Sequence, residues 1–129
     1  MSSLAVIPAW VAPAPRDVQA CHERAHELAR YRATVRPIAA TLDWAMGNHF
    51  SPVSGRWIEP TERAARAEMM LASSVYVSGR GLADDLWAEL GVEPAESVTA
   101  DGAWLASSSA TLSWLLGIQG RPPLPLTRT

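Results

Sequence analysis

The sequence predicts an all-α fold: a small bundle of about four helices with extended, proline-containing arms at both ends. Three observations carry that expectation. Apolar residues recur at three- and four-residue steps through most of the interior, the spacing that places them on one face of a helix. Glycine and proline fall mostly between these stretches, where they punctuate them. The chain is 129 residues long, 48% apolar, with a net charge of −2, which suits one hydrophobic core and is too apolar for a disordered chain. The expected division is an extended N-terminal arm at 1–15, a single helical domain at 16–117 and a proline-rich tail at 118–129.

Within the arm, Pro8, Pro13 and Pro15 preclude regular helix, and Leu4, Val6, Ile7, Trp10 and Val11 are apolar anchors. Asp17 stands where an N-cap is expected, and Val18, Cys21, Ala25, Leu28 and Val35 follow at helical spacing. Pro37 should end or kink this helix near Val35, after which Ile38, Leu42 and Ala45 continue an apolar stripe to a stop at Gly47. Residues 47–60 hold two Gly, two Pro and two Ser and read as a loop or short hairpin, tethered by Trp57 and Ile58. Thr61 should cap the next helix, with Glu62 at the positive end of its dipole and Ala65, Met69, Ala72 and Tyr76 facing inward as far as Val77. Ser78–Gly81 breaks it, Leu82–Leu90 is a short helix stopped by Gly91, and the last helix runs from about Thr99 to Leu116 before Gly117. That helix mixes bulky Trp104, Leu105, Leu112 and Leu115 with the small run 106–110, which lets another helix approach closely. From Gly120 the tail should be extended, in polyproline II form.

Composition excludes several classes. One cysteine cannot form an internal disulfide, and no apolar run reaches the length of a transmembrane helix. All 11 basic residues are Arg, yet the balance is slightly acidic, which argues against a general nucleic-acid or acidic-membrane surface. The first basic residue is Arg16, so the apolar start has no positive segment before it; a secretory signal is not expected and the cytoplasm is the expected location. Leu82–Leu105 resembles a DNA-binding helix-turn-helix unit in outline. Its would-be recognition stretch carries Glu93, Glu96 and Asp101, and no Arg lies between Arg80 and Arg121, so it would repel phosphates. Gly79-Arg80-Gly81 lacks the preceding strand and the further Gly or Lys of a phosphate-binding loop.

One segment carries the outline of a chemical site. His22-Glu23-Arg24-Ala25-His26 has the form H-E-x-x-H within the best helical stretch, and residues four apart share a helix face. Both imidazoles can then address one zinc ion, with Glu23 placed as general base on a zinc-bound water. In these five residues the chain resembles the zinc-dependent metallopeptidases called zincins. It departs from them at Arg24, where an uncharged residue is usual, and at Ala29 and Arg32, where the metzincin branch has Gly and His. Zincins also place a sheet before the metal helix, and only 21 residues precede His22. A third ligand would come from Glu59, Glu62 or His49. The same segment also reads as a solvated helix edge, His22 and His26 flanking the Cys21–Ala25–Leu28 stripe beside Glu23, Glu27 and Arg30. Cys21 reads as a small buried thiol, since its neighbour His22 points elsewhere on a helix.

Six Trp against one Phe is an unusual aromatic balance. Trp44, Trp87, Trp104 and Trp114 fall in helical patterns and belong to the core or its edge. Trp10 and Trp57 lie outside them, and together with Pro122, Pro123, Leu124 and Pro125 of the polyproline-like tail they are the candidate partner-binding residues. The leading expectation is therefore a small non-enzymatic interaction or assembly protein, adaptor or self-associating subunit, with a protein partner or a second copy and no cofactor. The alternative is a zinc-binding protein or zinc-dependent hydrolase using His22, His26 and Glu23.

Overall fold

The computed structural model describes residues 7–96, 98 and 101–125, and every regular element among them is helical. Helix α1 spans Pro15–Ala29, a 3-10 turn follows at Ala33–Val35, and α2 spans Arg36–Ala45, α3 Glu62–Ser78, α4 Asp84–Leu90 and α5 Gly102–Leu115. The anchors Leu4 and Val6, Thr99 and the end of the tail at 126–129 lie outside the described residues, and the last helix starts at Gly102 after its cap Asp101, later than the expected start near Thr99.

The stretch expected as a helix ended or kinked by Pro37 near Val35 is two helices, with the break earlier, after Ala29. α1 starts on Pro15, whose missing amide costs nothing in a first turn, and Asp17 sits inside that turn with its charge toward the dipole instead of capping it. The helix ends at Ala29, six residues before Val35: the amides of Tyr31 and Arg32 both turn back to the Leu28 carbonyl and Arg32 is extended. Pro37 then falls in the first turn of α2, where proline initiates a helix. α2 doubles back along α1. From Pro37 to Met46 every residue is buried except Asp43, the one polar opening in that stripe.

α3 begins as expected, Thr61 Oγ1 accepting from the Ala64 amide, and ends at Gly79 in the left-handed region at φ 72°. Tyr76 is exposed rather than inward, because α3 outruns the core in its last turn. α4 begins two residues after Leu82. α5 is capped by Asp101, whose side chain accepts from the amides of Ala103 and Trp104. α3 and α5 form the most extensive helix pair, and α2 packs on α5 from another side.

The segment between α2 and α3 has no strand pairing; Ser51 and Arg56 close a tight turn, Ser51 N–H donating to the Arg56 carbonyl. Three indoles hold this segment. Trp10 donates to the Pro60 carbonyl at 2.8 Å, Trp44 to Ile58 at 3.0 Å and Trp104 to Pro52 at 2.7 Å. Large aromatics with a donor at the tip suit this task, because each packs on the core and still satisfies a loop carbonyl.

Both arms, as far as they are described, lie on the domain itself. The Ala12 amide donates to the Leu115 carbonyl at 2.8 Å, and the arm passes so close to Gly117 (φ 77°) that a Cβ there would lie 2.8 Å from Ala12 Cβ. Leu124 is buried in the α1–α2 core, in the same cluster as Cys21. Among the described residues no helix is long and apolar enough to cross a membrane.

Candidate metal centre

His22 and His26 stand one turn apart on α1, on the edge of the stripe formed by the buried Val18, Cys21 and Ala25. The α1–α2 reversal brings Asp43 against them. Its Oδ1 is 2.6 Å from His22 Nε2 and 2.8 Å from His26 Nε2, and the two rings meet edge to face at 4.6 Å. The His22, His26 and Asp43 side chains are 27%, 50% and 20% exposed, so the cluster sits at the rim of the core with His26 outermost. Burial works to raise the Asp43 pKa, but the hydrogen bonds from His22 and His26 and their positive charge outweigh it. The carboxyl is held below its ordinary range.

Two imidazole nitrogens and one carboxylate oxygen, all within 4.8 Å of one another, form a mixed N/O donor set suited to zinc. Zinc–ligand bonds of about 2.0–2.1 Å in a tetrahedron imply ligand separations of about 3.3 Å. The Asp43 oxygen must therefore move back from each ring by roughly half an ångström, and the two imidazole nitrogens, which lie within 4.8 Å of each other, must settle at that same spacing. Where the cation is absent, the ring protons occupy the same directions and bind the carboxylate instead.

The third member of the cluster is none of the sequence candidates. Glu59 and Glu62 are exposed near the start of α3, Glu62 pairing with Arg66, while His49 is exposed with its ring N–H donating to the Phe50 carbonyl. Glu23 is exposed on α1, and Arg24 pairs with Glu27 at 3.2 Å. Asp43 was missed because its proximity depends on the reversal at residues 30–36. Its signal was present as the single acidic residue in the otherwise apolar 37–46 stripe.

The partner-binding candidates separate. Trp10 is half-buried and packs on the core, Leu124 is buried, Pro122 and Pro123 are half-buried and Pro125 is exposed. Trp57 is 66% exposed and meets the half-exposed Phe50 edge to face at 5.1 Å. None of the protein-family models, curated proteins and solved structures compared with this chain matches it.

Proposed function

We propose that this protein binds a zinc ion through His22, His26 and Asp43, the metal joining α1 to α2. The observation that carries the reading is the convergence of three ligand atoms within 4.8 Å, two of them from the H-E-x-x-H segment and the third from a separate helix. An i,i+4 histidine pair alone is common on helix surfaces; a carboxylate delivered to both nitrogens from elsewhere in the fold is the added requirement of a site. Glu23 would be the base if water bound to the metal were activated. Zincin-type proteolysis also uses a strand edge to hold substrate, and the described residues are helical, so the reading is metal binding and not peptidase activity. The test is the metal content of untagged protein purified without added zinc or chelator. About one zinc per chain is expected, falling to background in His22→Ala/His26→Ala; background zinc in the wild type would contradict the reading.

A second reading, a contact protein, is favoured by the exposed Phe50–Trp57 pair, since aromatic anchors of this kind concentrate binding energy. Its partner is another protein or a second copy of this chain. Trp57→Ala should then abolish self-association measured by sedimentation, and a monomer at all concentrations would remove the second-copy form.

A further inference from the structure

Resting on the zinc reading, we propose that the open coordination position of this centre takes a small oxyanion, a carboxylate or a phosphate group, whose second oxygen is held by Arg30. Three protein ligands leave a four-coordinate zinc one position for water or an external ligand. The outermost ligand, His26, is half exposed and itself forms the wall of an open recess of about 350 Å³, whose other lining residues are Glu27 and Arg30. His22 and His26 lie on α1 and Arg30, four residues beyond His26, is its C-cap and keeps helical backbone angles (φ −65°, ψ −29°). The guanidinium therefore belongs to the same helix face as the ligands, one turn beyond His26.

The recess offers one guanidinium, that of Arg30, beside one carboxylate, that of Glu27. Glu27 is engaged by Arg24 at 3.2 Å, and among the described residues no ion pair involves Arg30. Two neutral imidazoles and one carboxylate leave a bound dication under-neutralised, and Arg30 adds a second positive centre. A guanidinium presents a planar fork that matches the paired oxygens of a carboxylate or phosphate. An oxyanion with one oxygen on the metal and another on Arg30 satisfies both centres at once, which a water molecule cannot do.

The test uses the cobalt(II)-substituted protein, whose visible spectrum reports changes in the coordination shell, titrated separately with acetate and with inorganic phosphate. The wild type should show a saturable spectral change, and the anion saturating at lower concentration identifies the oxyanion class. Arg30→Ala should bind cobalt within twofold of the wild type yet bind the anion at least tenfold more weakly. Arg32→Ala, which removes the same charge from an exposed position outside the recess, should leave both unchanged. Equal anion affinity in Arg30→Ala and wild type, or no spectral response to either anion, would overturn the proposal while leaving the metal site standing. Failure of the wild type to bind cobalt would overturn the metal site itself, and the proposal with it.

Discussion

Glu68 is fully buried and takes three hydrogen bonds, from the amides of Val53 and Ser54 at 2.8 and 2.9 Å and from the Ser54 hydroxyl at 2.6 Å. Asp43 is one-fifth exposed and takes two, both from imidazoles on another helix. The donors to Glu68, two backbone amides and a hydroxyl, keep their protons across the ordinary pH range. A carboxylate so satisfied fixes the turn at 51–56 onto α3 and does nothing else. The donors to Asp43 are nitrogens that become ligands when they lose a proton, so the same kind of contact is exchangeable there. Two carboxylates that each join separate segments thus have different uses, and the difference lies in what faces them and in access from solvent.

The largest expected effect falls on the buried member. Glu68→Ala removes the shared acceptor of the Val53 amide, the Ser54 amide and the Ser54 hydroxyl and should cost about 3–5 kcal/mol, or prevent folding, in denaturant titration. Glu68→Gln keeps the shape and should cost about 2 kcal/mol or less. A loss for Glu68→Ala no greater than for an exposed substitution would break the comparison. Next comes the tail that closes the core beneath α1. Leu124→Ala should cost about 2 kcal/mol, the low end for a buried leucine because the site is near the surface. Asp43→Ala should cost only about 1 kcal/mol in metal-free protein, since its neighbours recover water.

An effect confined to alkaline pH separates the two faces of α1. Cys21, one residue before His22, faces inward, and burial pushes its thiol up to about 11, partly offset by the Leu124 amide. The unfolded thiol ionises first, so its contribution is complete below about pH 8.5 and is lost as pH rises toward the folded value. Stability should fall over that interval in wild type and not in Cys21→Ala, and a thiol reagent at pH 8 should react with unfolded but not native protein.

The helical class, the Thr61 cap, the Gly79, Gly91 and Gly117 stops and the His22–His26 pair were legible because each rests on local spacing or on one residue's conformational preference. The break after Ala29 was not, because Pro37 fits equally the end of one helix and the start of the next, and only packing chooses. The approach of Asp43 to His22 and His26 depends on that choice. Glu68 was hidden for a related reason: its partners are 14 and 15 residues earlier in a loop whose path no periodicity records. The inward use of Trp10 needed the Pro60 carbonyl that its indole reaches.

The most direct test of the metal centre is thermal unfolding of wild type and Asp43→Ala with and without zinc. At a zinc concentration about a hundredfold above its dissociation constant, wild type should gain about 2.7 kcal/mol, a rise of roughly 10 °C for a chain of this length. Asp43→Ala should gain almost nothing. No rise in the wild type, or an equal rise in both proteins, would contradict the assignment of His22, His26 and Asp43 as one metal site.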